Sequence, residues 1–509
     1  GAARKPVDAG GPLRDRWAHP APGAHRPPGG RGSRAAMRRT KIVATLGPAS
    51  GTPAVIGDML DAGMDVVRLG LAHGTPEEHR AAMAMVRDQA RQRGRIVGVL
   101  ADLPGPKVRT GPFPEGGAFL AEGAEVVLVG GDGPSGEDRI EVDEPDIAQV
   151  AEPGATVVLG DGTVVLEVVA VEGDAVRTRV QAGGRLQGRP GAHLPADRWR
   201  PPVPTEHDLR LIEDVARDAD WVAVSFVRRP EELRRVREAL GDGGPRLMAK
   251  IETRAAVEHL DELMTVADGI MVARGDLGID APIEDVPHLQ KRIIRACAAR
   301  GLPVVTATQM LESMVSAARP TRAEATDVAN AVVDGTDALM LSAETAIGRD
   351  PALAVRTMAR IAERAEQAEE MHGVEVDRGV VARRVPSTGA VTLAMAHAAL
   401  RAADELGLAA IVCCTRAGTT ARAMAALRPR ARLIGASPSP ATARQLTLSW
   451  GVEPLEVGEY HTTDEMVWCV VEAAVEAGLV HHGEAIAVLA GAPDAAARTT
   501  DVLRVVQVD

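Results

Sequence analysis

Eight short apolar segments, each bounded by glycine, proline or charge, set the strongest limit on the fold. They are Lys41–Leu46, Asp65–Leu71, Ile96–Leu103, Trp221–Phe226, Arg246–Glu252, Gly269–Ala273, Pro303–Gln309 and Ala338–Glu344. Most precede a stretch with Ala, Leu, Arg and Glu at turn spacing. Near-continuous apolar strands alternating with helices indicate a parallel sheet covered by helices. Eight such units predict an α/β fold closed into a (β/α)8 barrel. Aromatic residues are only 2% of the chain, so its cores must be aliphatic.

The polar residues within these segments fall at one end. Arg68, Asp102, Ser225, Lys250, Glu252, Thr308, Ser342 and Glu344 sit near C-terminal strand ends, and Asp276 lies just past one. That face of such a barrel carries the active site. Lys250 is two residues before Glu252, so both side chains leave the strand on the same face. Glu252 and Asp276 end adjacent strands and could offer two carboxylate oxygens to a hard divalent cation, Mg²⁺ or Mn²⁺. Gly275 and Asp276 open a helical stretch, where backbone N–H groups favour anions.

The chain of 509 residues has room for about three domains. Residues 38–103 and 203–370 make the barrel. Between its third and fourth strands, residues 104–202 are rich in strand patterns: Glu125–Gly130, Thr156–Leu159 and Val164–Val171. Gly160-Asp161-Gly162 between two of them signals a hairpin. The expectation is a small inserted β-barrel domain acting as a lid. Residues 385–509 alternate strand and helix (Ala409–Cys414, Arg432–Ala436, Ile486–Gly491) and form a separate α/β domain, joined through a charged helix and polar linker. Residues 1–37, rich in Pro, Gly and Arg, are expected to be a disordered extension.

Net charge is -12, which disfavours a nucleic-acid or anionic-membrane surface. No run of 18 apolar residues occurs, so no membrane span is expected. Cys297, Cys413, Cys414 and Cys469 show no metal-ligand rhythm and fit reduced, mostly buried thiols of a cytoplasmic protein.

Several longer words resemble one family. The stretches Thr40–Ser50, Met248–Glu252, Met271–Gly278, Ala307–Met314 and Arg319–Glu324 look like those of pyruvate kinases, most closely the bacterial members. The resemblance covers residues 38 to 509, in the family's domain order. It implies transfer of a phosphoryl group from phosphoenolpyruvate to ADP, giving pyruvate and ATP at the end of glycolysis. It further implies Glu252 and Asp276 as metal ligands, and Lys250, Arg68 and Thr308 as catalytic residues. Gly275, Asp276, Thr308, Ser225 and Arg68 would hold the phosphoenolpyruvate; His73, Arg109, Asp161 and His207 would face the nucleotide. Arg109 would also contact phosphate. Thr415, Arg416, Gly418, Thr419 and Thr420 resemble a loop for a phosphorylated allosteric effector, with Ala417 in place of a usual Ser. A homotetramer is the family's usual assembly.

The sequence departs from the family in one region. Arg68-Leu69-Gly70-Leu71-Ala72-His73-Gly74 lacks the usual Asn and Ser, whose oxygens help bind K⁺. In Asp102-Leu103-Pro104-Gly105-Pro106-Lys107 a lysine replaces the usual glutamate. An ammonium can take over the local charge balance of a monovalent ion, so activity without K⁺ is expected. Loss of the Asn, and His207 where many members carry Lys, point towards an altered nucleotide site. Two other readings compete: a metal-dependent pyruvate-enolate lyase or aldolase, and a catalytically weakened paralogue serving as a metabolite sensor. Conversion of phosphoenolpyruvate plus ADP to pyruvate separates the kinase reading from both.

Overall fold

The computed structural model describes residues 38–160, 162–194, 199–372, 389–460, 462–491 and 499–509. The predicted extension at residues 1–37, Asp161 and most of the polar linker lie outside the described residues.

All eight expected segments form strands: β1 (Lys41–Thr45), β2 (Val66–Gly70), β3 (Gly98–Leu103), β4 (Trp221–Val224), β5 (Arg246–Ile251), β6 (Gly269–Ala273), β7 (Val304–Ala307) and β8 (Ala338–Leu341). Each pairs in parallel with its neighbours, and β8 returns to β1 to close the barrel. Side-chain parity explains the two cores. Along β5, Leu247, Ala249 and Ile251 face outward into the layer shared with the helices. Met248 faces inward with Val43, Val66, Leu100, Trp221, Met271, Val305 and Met340. Arg246, Lys250 and Glu252 share that inward parity. One strand therefore carries an arginine at the base of the barrel and the lysine–glutamate pair at its mouth.

Helix starts tie the strand ends together. Thr321 caps the helix Arg322–Val333 in a reciprocal box with Glu324. The Glu324 carboxylate also accepts from Ser313 N (2.7 Å) and Ser313 Oγ (2.6 Å) in the loop after β7. Glu344, buried, accepts from Leu311 N (2.9 Å) and Ser342 N (2.7 Å), joining the ends of β7 and β8.

The insert forms a six-stranded sheet and a two-stranded ribbon around its own aliphatic core. Thr156–Leu159 and Val164–Glu172 pair as the expected hairpin, with Leu159 opposite Val164. Residues 108–111 bridge its two edge strands: Ala192 N donates to Val108 O (3.0 Å) on one side and Asp143 N to Arg109 O (3.0 Å) on the other, so the sheet closes as the small barrel expected. In the C-terminal domain, Val452–Glu456, Arg432–Ser437, Ala410–Cys414 and Ala485–Ala490 run in parallel, and Val502–Gln507 adds an antiparallel edge.

The base of the barrel is sealed by the C-terminal domain. Leu448 joins the barrel's inner core. Trp221 Nε1 donates to Gln445 O (3.1 Å), and Arg444 pairs with Asp220 (2.8 Å). A Cβ on Gly98 would lie 2.5 Å from Thr447 Oγ1, so this approach requires glycine.

Asp268 holds the base of β5. It pairs with Arg237 (2.7 Å) and Arg246 (3.0 Å) and accepts from Leu247 N (2.9 Å). Burial alone would raise its pKa, but the two guanidinium groups outweigh that and hold it below the usual carboxylate range. Its stabilising effect is therefore present above the ordinary carboxylate pKa and lost as pH falls through the depressed value. Asp268→Asn should cost about 2 kcal/mol at neutral pH. In urea unfolding, the difference from wild type should shrink below about pH 4.

Candidate active site

The C-terminal strand ends open into a cleft of about 1590 Å³. Arg68, Asp102, Leu103, Ser225, Lys250 and Glu252 line it, with Gly275, Asp276 and Thr308. His73, Lys107, Arg109 and His207 line it as well. The fold thus brings these predicted residues of the barrel mouth together; Asp161 lies outside the described residues. Glu344 is not among the lining residues; its oxygens are committed to the backbone.

Lys250 is the hub. Its Nζ lies 2.8 Å from Glu252 Oε1 and 3.4 Å from Asp102 Oδ1, and donates to Ser225 Oγ at 2.7 Å. Ser225 in turn donates to Leu103 O (2.7 Å), which fixes its oxygen as the acceptor. Burial opposes the ammonium charge, but Asp102 and Glu252 more than offset this and hold its pKa above the usual lysine value. Arg68 pairs with Asp102 through Nε (2.7 Å) and donates to Thr45 Oγ1 (3.1 Å). Asp102, although buried, is kept below the ordinary carboxylate range by Lys250 and Arg68.

Glu252 is shifted the other way: burial, with Asp276 also nearby, raises its pKa despite Lys250. Its Oε2 accepts from Phe226 N (2.6 Å). Its Oε1 is buried beside Lys250 but makes no hydrogen bond of good geometry. A buried carboxylate oxygen in that condition, next to a second acid, suits a hard divalent cation. Two protein carboxylates leave the other positions to substrate oxygens and water, as Mg²⁺ prefers.

Asp276 lies in the short helix Arg274–Asp280. Arg274 pairs with Asp327 (2.7 Å) and donates to Ala307 O (3.2 Å) and Thr308 O (2.7 Å), locking the loop after β7. Thr308 has φ 66 and Gln309 φ 52, a left-handed backbone that threonine adopts at an energetic cost. That turn aims Thr308 Oγ1 at Gly275 N, which donates to it at 2.8 Å.

The insert reaches Asp276 with two groups. Lys107 Nζ lies 3.5 Å and His193 Nε2 3.6 Å from Asp276 Oδ1. Lys107 therefore meets Asp276, while Asp102 has its charge matched by Arg68 and Lys250. Sequence reasoning missed His193, which sits in a two-residue strand, Ala192–His193, too short to show a period. It also missed Trp199, which lines the cleft and donates to Glu144 (2.6 Å). An isolated Trp among Pro and Arg residues gives no such signal.

In the C-terminal domain, Thr415 and Thr420 are buried, and Thr420 Oγ1 bonds Thr500 Oγ1 at 2.6 Å. Gly418 caps the helix Thr419–Ala426 with φ 80, and Arg416 stacks on Tyr460 at 5.9 Å. The expected effector loop is thus a strand–helix turn with Thr420 turned into the core.

A barrel with a buried lysine between acids, and a second acid poised for a cation, defines an enzyme that stabilises anionic reacting groups. The sequence matches "Pyruvate kinase, barrel domain" over residues 37–355 and "Pyruvate kinase, alpha/beta domain" over residues 393–506. It is 41% identical to the pyruvate kinase of Geobacillus stearothermophilus, over 92% of this chain and 80% of that protein. It is likewise 41% identical to that of Methylorubrum extorquens, over 92% and 97% of the two chains. For the Clostridium acetobutylicum enzyme the figures are 38%, 92% and 99%. The chain belongs to the pyruvate kinase family, and its activity is that of a pyruvate kinase, a phosphotransferase. Dependence on a divalent metal follows generally from that membership. Among the described residues, no helix is long and apolar enough to cross a membrane.

Proposed function

We propose that this chain moves the phosphoryl group of phosphoenolpyruvate to ADP at the rim where Lys250, Glu252 and Asp276 meet. The observation that supports the residue roles best is the Lys250 ammonium, buried between Asp102 and Glu252 and facing the cleft. The substrate carboxylate is placed at the Thr308 hydroxyl and the 275–276 backbone, replacing the Thr308–Gly275 hydrogen bond. Arg68 and Lys250 flank the phosphoryl group. Mg²⁺ or Mn²⁺ held by Glu252 and Asp276 would supply neutralisation of the phosphoryl and enolate oxygens.

The P–O bond to the enol oxygen breaks as a terminal ADP oxygen forms the new bond to phosphorus. Such transfer asks the protein for alignment and charge compensation, which fixed cations at a dry rim provide. Lys250, held cationic by its neighbours, stays a charge donor rather than a base. The enolate left behind takes a proton at its methylene carbon to give pyruvate; Thr308 stands on the side of the site from which that proton is delivered. His73, Arg109 and His207 face the nucleotide, and the insert closes over it.

We further propose that K⁺ is not required. Asp102 already has two cationic neighbours, and Lys107 brings a third cation to the metal side of the rim. A phosphorylated effector at the 415–420 loop, a homotetramer and a cytoplasmic setting complete the reading by family likeness.

Two outcomes are expected. Lys250→Met should lower kcat for pyruvate formation by about a thousandfold while leaving Mn²⁺ affinity within a few-fold; an unaffected kcat would remove Lys250 from the chemistry. Rates in potassium chloride and in a bulky organic-cation chloride of equal strength should agree within about a factor of two. A large drop in the second would refute independence from K⁺.

A further inference from the structure

The insert meets one of the two metal-side acids through a matched pair of residues. Arg109 bridges Gly191 in antiparallel register, and Ala192 N donates to Val108 O (3.0 Å). Carried one step further, that register sets Lys107 opposite His193, with both side chains on the same side of the ribbon. Both reach one atom: Lys107 Nζ lies 3.5 Å and His193 Nε2 3.6 Å from Asp276 Oδ1. A Cβ on Gly191 would lie 3.2 Å from Lys107 Cε, so glycine there leaves room for the lysine stem.

Two ammonium groups therefore flank the acids assigned to the metal. Lys250 lies 2.8 Å from Glu252, and Lys107 3.5 Å from Asp276. They are not equally fixed. The Lys250 side chain is 11% exposed, and Asp102, Glu252 and Ser225 hold it. The Lys107 side chain is 30% exposed, and its contact with Asp276 is at the outer limit of a hydrogen bond. A hard ion sits about 2.1 Å from a carboxylate oxygen, so an ion on Asp276 Oδ1 would lie within about 6 Å of the Lys107 ammonium. Charges that close and partly buried are poorly screened by salt. The repulsion falls on Lys107, the less tightly held of the two cations. A glutamate at position 107, the family's usual residue, would attract the ion instead.

We propose that Lys107, set opposite His193, is a resident counter-cation of Asp276 that competes with the divalent ion and lowers the site's affinity for it. Loading the ion and releasing the insert's contact are one exchange of cations at a single carboxylate. The inference rests on the assignment of Glu252 and Asp276 to the metal.

Mn²⁺ titrations of the full chain without substrate, read from the electron paramagnetic resonance of the free ion, test this with a charge series at one position. Lys107→Arg should bind Mn²⁺ within about twofold of wild type, Lys107→Met about three- to tenfold more tightly, and Lys107→Glu more tightly still. A merely structural role would not order the affinities by side-chain charge. A flat series, or weaker binding in Lys107→Met, would overturn the proposal. Asp276→Asn separates the two readings. If it abolishes Mn²⁺ binding while the series is flat, the competition alone fails. If it leaves Mn²⁺ binding intact, the metal assignment fails and the competition with it.

Discussion

The interaction on which the site depends is the placement of the Lys250 ammonium, 2.8 Å from Glu252 and 3.4 Å from Asp102. A lysine in an apolar interior would ordinarily lose its proton. Here two acids keep it charged, and Ser225 fixes its direction. The cation in turn keeps both carboxylates in place at a dry rim. Removing Lys250 leaves the buried Glu252 carboxylate without its counter-charge, whereas Asp102 keeps Arg68.

Strand parity carries this cluster into the rest of the molecule. The alternation that points Lys250 and Glu252 into the mouth also points Met248 into the inner core and Arg246 into the base. Arg246 there meets Asp268, Gln445 and the Ala417 carbonyl. One short strand thus reaches the cleft at one end and the Ala417 carbonyl of the 415–420 turn at the other.

Much of the barrel was legible in the sequence, for a physical reason. Strands buried on both faces read as continuous apolar runs, and polar residues within them can survive only at the ends. That rule located Lys250, Glu252, Asp102 and Arg68 without reference to any contact. The same rule found Thr308, a helix start pointed to Gly275, and the family resemblance added His73, Arg109, Asp161 and His207 as residues expected to face the nucleotide. Other features left no local trace. Val452–Glu456 contains Pro454 and Val502–Gln507 is half exposed, so neither edge strand looked apolar. Lys107 stood out as a substitution, but its partner is Asp276, distant in sequence and brought close by the insert. His193 meets Asp276 through packing of the insert on the barrel, and Trp199 meets Glu144 across the insert. No single segment carries such information.

The central claim is tested most directly by anomalous diffraction at the manganese edge, from crystals grown with Mn²⁺ and phosphoenolpyruvate. One metal peak should lie about 2.0–2.3 Å from carboxylate oxygens of both Glu252 and Asp276. The Lys250 amine should be within hydrogen-bond reach of the bound phosphoryl group. A metal bound elsewhere, or a Lys250 turned away from the ligand, would contradict the account.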